Sequence, residues 1–280
     1  MQWFNRYAAP LSVDAVRDCL QGTLKTTNIT HLITVSCTGL SAPGLDLQLV
    51  EMLDLPKNTW RTSVNFMGCY AAIHALKLAD AICNSNPSAK VLLVCTELCT
   101  LHFQREPTTD NIASSLLFAD GSAAALVVNE EDGHRGLTIT NFYSEVIPKG
   151  KKDMAWELSS SGFQMTLSNY IPALIAEDFE SLTARALQQA GLDSADISHW
   201  CIHPGGKKIL EVIGNSLQLQ ANALEDSYEV LNQYGNMSSS TILFVLKKMM
   251  HKLNTDARIF GAAFGPGLTM ETFIAQHQHS

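Results

Sequence analysis

The chain of 280 residues is 46% hydrophobic and carries a formal net charge of −8, enough length for one large domain or two fused ones around a sizeable core. The acidic balance argues against broad binding to nucleic acid or anionic membranes, and no apolar run approaches the ~18 residues of a membrane span. With no signal-peptide pattern after Met1, the expected setting is soluble, reducing and cytoplasmic. Cysteines 19, 37, 69, 83, 95, 99 and 201 are an odd count with no Cys-x-x-Cys pair and no histidine at ligand spacing, so no metal site is expected.

Taken in chain order, residues 12–26 have helical periodicity, 31–37 are a short apolar run rich in β-branched residues, and 45–53 are helical. A second such run at 60–66, a helix over 70–84 and a third run at 90–96 follow. Strands are predicted at 122–129 and 137–147, then a helix at about 173–190 and a strand from His199 to Ile202. Strands alternating with helices imply an α/β protein with a mostly parallel, buried sheet.

The second half of the sequence repeats the first. Asn28-Ile-Thr-His31 opens one strand and Asp196-Ile-Ser-His199 another. Cys69 lies 38 residues after His31, and Asn236 lies 37 after His199, both in turns of the form Asn-x-x-Gly-x that lead into a helix. Each half closes on a phenylalanine-glycine turn and a strand, Phe118-Ala-Asp-Gly121 before 122–129 and Phe264-Gly-Pro-Gly267 before 268–275. Four landmarks in one order indicate duplication, with halves at 1–130 and 131–280. About sixty residues, including a strand, precede Ser198 in the second copy, whereas thirty precede His31 in the first. By symmetry the first half is expected to lack its opening strand, as if Met1 were an internal start.

The duplication brings three residues of chemical interest into relation. Gly68-Cys69 opens an apolar helix, whose unpaired N–H groups and dipole favour a thiolate, and glycine there allows another group close to the backbone. His203 ends a strand and precedes Pro204-Gly-Gly206, at the edge where ligands approach open α/β sheets. Asn236 holds in the second half the place that Cys69 holds in the first. A nucleophile, an imidazole and an amide meeting in one cavity suit acyl transfer through a cysteine thioester.

Met67-Gly-Cys-Tyr-Ala-Ala, Ile202-His-Pro-Gly-Gly, Tyr234-Gly-Asn-Met-Ser-Ser and Phe264-Gly-Pro-Gly-Leu-Thr-Met-Glu-Thr closely resemble the chalcone synthase-like, type III polyketide synthases, as does Leu116-Leu-Phe-Ala-Asp-Gly-Ser-Ala-Ala-Ala-Leu. The likeness runs from about Ala9 to the C-terminus. It implies a thiolase-like fold layered αβαβα, built of two duplicated halves, and a homodimer. It also implies a mechanism in which Cys69 takes an acyl starter from acyl-CoA. His203 and Asn236 then bind the malonyl-CoA thioester carbonyl, promote decarboxylation and stabilise the enolate that attacks the acyl-Cys69 thioester. The resemblance calls for no metal, flavin or nicotinamide, with coenzyme A thioesters as substrates rather than cofactors.

By the same resemblance Phe118 and Met165 fall on the family's two gatekeeper positions, Met165 where phenylalanine is usual. Methionine is flexible, so a wider or more adaptable cavity mouth is expected. Ser114, Cys99 and His102 fall on positions lining the initiation and cyclisation cavity. Lys207 and Lys208 follow the Gly-Gly turn at a helix start and are candidates for coenzyme A phosphates. Two alternatives stay open at this point: a ketoacyl synthase III-like enzyme making one condensation, against which His-Pro-Gly-Gly speaks, and an inactive fragment or binding module.

Overall fold

The computed structural model describes residues 1–130, 136–150, 153–159, 162–168 and 170–278; the expected boundary between the halves, at 130/131, borders residues outside that set. The chain opens with α1 (Gln2–Leu20), which buries a stripe of Phe4, Ala8, Val13, Val16 and Leu20. This helix starts ten residues earlier than periodicity alone predicts. Pro10 lies on its exposed side, where the carbonyl left without an N–H partner can meet water. It also stops earlier, with Gly22 at φ +73 turning the chain away. Then come β1 (His31–Ser36), α2 (Leu45–Met52), β2 (Trp60–Asn65), α3 (Ala71–Ser85), β3 (Lys90–Leu98), α4 (Thr109–Leu117) and β4 (Asp120–Val128).

The second half contains β5 (Thr138–Val146), a hairpin of β6 (Met154–Ser159) and β7 (Gly162–Leu167), and α5 (Ile171–Gln189). It continues with β8 (His199–Ile202), α6 (Lys207–Ser216), α7 (Glu225–Tyr234), α8 (Thr241–Lys252), β9 (Ala257–Gly265) and β10 (Thr269–His277). The strands that were expected fall within a few residues of their predicted positions; β9, inside the second sheet, and the β6–β7 hairpin are strands the sequence analysis did not assign.

Two four-stranded sheets carry the duplication. One has the order β2-β1-β3-β4 and the other β5-β10-β9-β8. β1 is parallel to β3, which is antiparallel to β4; in the same way β8 is parallel to β9, which is antiparallel to β10. β10 also pairs with β5, while among the described residues β4 has no strand on its other edge, as the repeat predicts.

Side-chain alternation along the strands then fixes the layers. Ile33 and Val35 of β1 and Leu93 of β3 pack with Ala72, Ile73 and Leu76 of α3, Ile242 and Val245 of α8, and Ile259 and Phe273 of the other sheet. α3 and α8 therefore form a central layer between the sheets. Leu32, Leu92 and Val94 face the other way, onto α1 and α2. Phe260, Ala262 and Ile274 face α5 and α6. The result is the expected αβαβα arrangement, and it brings the ends of β1, β3 and β8 and the starts of α3 and α8 to one place.

Candidate active site

The two turns predicted to be equivalent do meet. Cys69 lies in a short 3-10 turn, Gly68–Tyr70, immediately before α3, and Asn236 lies two residues before the turn Ser238–Ser240 that leads into α8. Gly68 has φ +80, and a Cβ there would stand 2.1 Å from Pro266 Cδ in the closing loop of the other half. Only glycine permits this approach. The Gly68 N–H donates to Cys37 Sγ at 3.0 Å. Cys69 Sγ is 4.0 Å from Asn236 Oδ1 and 3.7 Å from Ser238 Oγ.

Asn236 is held by backbone and side chain. Its N–H donates to Leu117 O, and its carbonyl accepts from Ala119 N–H, both at 2.9 Å, which also fixes Phe118 between them. Its Oδ1 accepts from Ser238 N–H at 2.9 Å. With that oxygen engaged, Nδ2 is the donor left to serve a ligand. His203 follows β8, its N–H donating to Ala262 O at 2.8 Å. The imidazole is 1% exposed, and neither ring nitrogen has a hydrogen-bond partner among the described residues.

Cys69, His203 and Asn236 line one cavity of about 340 Å³. Phe118, Met165, Ser114, Cys99 and His102 line it too, so the structure gathers all eight of these expected residues. The Ser114 hydroxyl is buried without a partner among the described residues. Lys207 and Lys208 are instead exposed at the start of α6 and are not part of the lining, and Lys207 pairs with Glu211 at 3.7 Å.

Electrostatics depart from the expectation drawn from the helix start. Burial, the largest cause, pushes the Cys69 thiol up to about 12; the Glu97 carboxylate adds to this, while contacts from Ser238 and Asn236 offset part of it. Cys69 lies in the turn before α3, and there the cost of desolvating a thiolate is the largest influence on it. Burial likewise depresses His203 to about 3. The resting site holds a thiol and a neutral imidazole.

Sequence reasoning missed Glu97, Cys37, Ser238 and Trp156. Glu97, at the inner end of β3, is fully buried. Its Oε2 accepts from Cys37 N–H and Thr38 Oγ1–H, each at 2.9 Å, and its Oε1 from Ser239 Oγ–H at 2.5 Å. Burial raises its carboxyl, and these donors offset part of the rise. Because each of these partners donates, the carboxylate ties the end of β1 to the loop that carries Asn236. A lone acid in the apolar run 91–98 was the available signal. Trp156 lines the cavity from the hairpin, its indole N–H donating to Cys37 O at 2.7 Å.

Comparison with known proteins agrees with this arrangement. The family model "Chalcone and stilbene synthases, N-terminal domain" matches residues 5–131, and the corresponding C-terminal domain matches 138–278. "Probable polyketide synthase 1" of Dictyostelium discoideum is 33% identical over 254 residues, covering 87% of this chain but 8% of that protein. "Alpha-pyrone synthesis polyketide synthase-like Pks18" of Mycobacterium tuberculosis is 32% identical over 282 residues, covering 98% of this chain and 72% of its own. Among solved structures, PKS-I of the brown alga Ectocarpus siliculosus superposes with a TM-score of 0.92 at 29% identity, covering 99% of this chain and 76% of that one. The C-terminal type III polyketide synthase domain of Steely1 from Dictyostelium gives 0.90 at 29% identity, with 99% and 78% covered. The duplicated layers, the meeting of Cys69 with Asn236 and these matches lead to one statement: the chain belongs to the chalcone and stilbene synthase family, the type III polyketide synthases, which are acyltransferases.

Proposed function

We propose that the protein loads an acyl group from acyl-CoA onto Cys69 and extends it by decarboxylative condensation with malonyl-CoA, followed by cyclisation or release. The observation that carries this reading is His203: a buried imidazole with both nitrogens unclaimed among the described residues, sharing one cavity with a thiol and an amide donor. On loading, Cys69 Sγ attacks the thioester carbonyl and its proton passes to the neutral His203. The imidazolium then gives that proton to the departing coenzyme A sulfur, which restores the resting state.

For extension, an N–H of His203 and Nδ2 of Asn236 donate to the thioester oxygen of malonyl-CoA. Carbon dioxide leaves and its bonding electrons form an enolate held by those donors. The enolate carbon attacks the acyl-Cys69 carbonyl, and Cys69 sulfur departs as the thiolate, which takes up one proton from solvent to return to the resting thiol. The thioester and the loss of carbon dioxide supply the driving force, so the proposed steps use no resident cofactor. A free thiol at Cys69 suits a reducing, cytoplasmic setting. The protein is proposed to act as a homodimer, because β2 is an edge strand with five of its six residues exposed.

Lys207 and Lys208 remain candidates for coenzyme A phosphates from outside the cavity. Alanine at both should raise KM for acyl-CoA and malonyl-CoA, and unchanged values would remove them from the site. The main test is incubation of the purified chain with an acyl-CoA panel and labelled malonyl-CoA, read by mass spectrometry. Elongated product is expected from the wild type and none from Cys69→Ala; product from that variant would refute the mechanism.

A further inference from the structure

Helix α4 supplies part of the cavity wall. Asn111, Ser114, Ser115 and Phe118 all line it, at the spacing of three and four residues that puts side chains on one side of a helix. The C-terminal end of α4 is tied to the reaction centre. The Phe118 N–H donates to Ser114 O, while Leu117 and Ala119, on either side of Phe118, hold Asn236. Ser114 therefore sits one turn of helix back from the segment bonded to Asn236.

The two serines of this face differ in what their hydroxyls do. Ser115 Oγ–H donates to Asn111 O at 2.7 Å, within its own helix. The Ser114 hydroxyl is buried and has no partner among the described residues; His203 is the other residue of the lining with buried polar atoms unclaimed there. Four other donors of the wall are taken. Thr38 Oγ1–H goes to Glu97, Thr100 Oγ1–H to Asp120, Gln104 Nε2 to His102 O and Phe163 O, and the Trp156 indole to Cys37 O. A buried hydroxyl without an acceptor is destabilising, so this one marks a place where a bound molecule supplies the acceptor.

The class of that molecule follows from the chemistry proposed above. A saturated acyl group offers no acceptor beyond its thioester carbonyl. Each condensation with malonyl-CoA leaves a ketone two carbons beyond the new thioester carbonyl, and a ketone oxygen accepts hydrogen bonds. Resting on that condensation reading, we infer that Ser114 is a specificity-determining residue for the extended, β-keto intermediate, its hydroxyl donating to the 3-oxo oxygen of the chain on Cys69. The contact exists only after the first extension. It favours a chain that already carries a ketone over the starter it grew from, and holds that chain for the next round.

The test uses the full chain as wild type, Ser114→Ala, Ser114→Thr and Ser115→Ala. Butyryl-CoA and acetoacetyl-CoA, equal in chain length and differing by one ketone, are offered separately without malonyl-CoA. The second-order rate constant for loading is read from the mass that appears on Cys69. In Ser114→Ala the acetoacetyl-to-butyryl ratio is expected to fall about tenfold from its wild-type value. Ser114→Thr keeps a hydroxyl and Ser115→Ala removes one already spent inside the helix, so both should hold the ratio within about twofold. With butyryl-CoA and malonyl-CoA together, the share of product extended more than once should also fall in Ser114→Ala. A folded Ser114→Ala with the wild-type ratio would overturn the proposal. A contact from Ser114 to the pantetheine arm, common to both thioesters, would give that result. Ser115→Ala or Ser114→Thr lowering the ratio as far as Ser114→Ala does would overturn it too. If the alanine variant does not fold, Ser114→Cys decides, because a thiol is a weak donor; an unchanged ratio again overturns the assignment. Failure of the condensation reading shows differently, as loading of both thioesters with no malonyl-dependent extension.

Discussion

At Cys69 and His203 burial disfavours both charged forms, so the acid–base pair at rest is neutral. A thiol pushed up to about 12 exposes little thiolate near neutral pH, and alkylation follows the thiolate. Iodoacetamide labelling of Cys69, followed on its own peptide, should therefore keep climbing from about pH 7 to 10; a plateau near neutrality would mean a thiolate already present at rest. His203 links the same burial to stability. Its folded value is depressed from 6.5 to about 3, so as pH falls below ~6.5 the unfolded chain takes up the proton first and stability drops. The slope approaches ~1.4 kcal/mol per pH unit, so His203→Gln should flatten the acid limb by about 2–3 kcal/mol between roughly pH 6.5 and 4.5. Urea melts at stepped pH measure this, and a variant that keeps the wild-type slope would contradict a buried neutral imidazole.

The short turn before α3 depends on two separate properties of Gly68, its left-handed backbone and the closeness of Pro266. Gly22 shares the first, with φ +73, but has nothing within 4 Å of a Cβ. Gly68→Ala should therefore cost about 2–4 kcal/mol and abolish acyl loading, while Gly22→Ala should cost about 1 kcal/mol and leave loading intact. Equal losses in thermal melts would show that the approach to Pro266 does not matter. Elements of this kind differed in how far the sequence revealed them. β1, β3 and β8 were legible because buried parallel strands are runs of β-branched and aliphatic residues. The β6–β7 hairpin was not, because its strands are short, pair with each other outside the two main sheets among the described residues, and turn residues such as Trp156 and Met165 to the cavity, with Met154 reaching the core as well. Trp156, which lies within β6, went unread with it. Glu97 was hidden for the opposite reason, since a single acid inside an apolar strand gains its meaning from Cys37, Thr38 and Ser239, which are distant along the chain or meet it only in the fold.

At the scale of the molecule, duplication decided what could be read. It paired Cys69 with Asn236 before any contact was known, since equivalent turns in two facing halves must approach one another. It also says where the halves differ. β10 is flanked on both sides whereas, among the described residues, its counterpart β4 is not, and β2, which has no counterpart beside β8, closes its sheet as an open edge with Trp60 74% exposed. The Trp60 and Phe66 N–H groups donate inward, to Thr30 O and Ser36 O. By alternation residues 62 and 64 do the same, and the N–H groups of 61, 63 and 65 point outward. If the proposed homodimer joins two copies along this edge, Ser63→Pro removes an outward donor and leaves the inward ladder to β1 in place. Sedimentation velocity across a dilution series should then show the wild type as a dimer and the variant dissociating at about tenfold or more higher concentration. Circular dichroism should be unchanged, because the inward ladder still holds β2 on β1. A variant dimer as tight as the wild type would exclude this edge as the interface, and a wild-type chain that is monomeric at micromolar concentration would remove the dimer altogether.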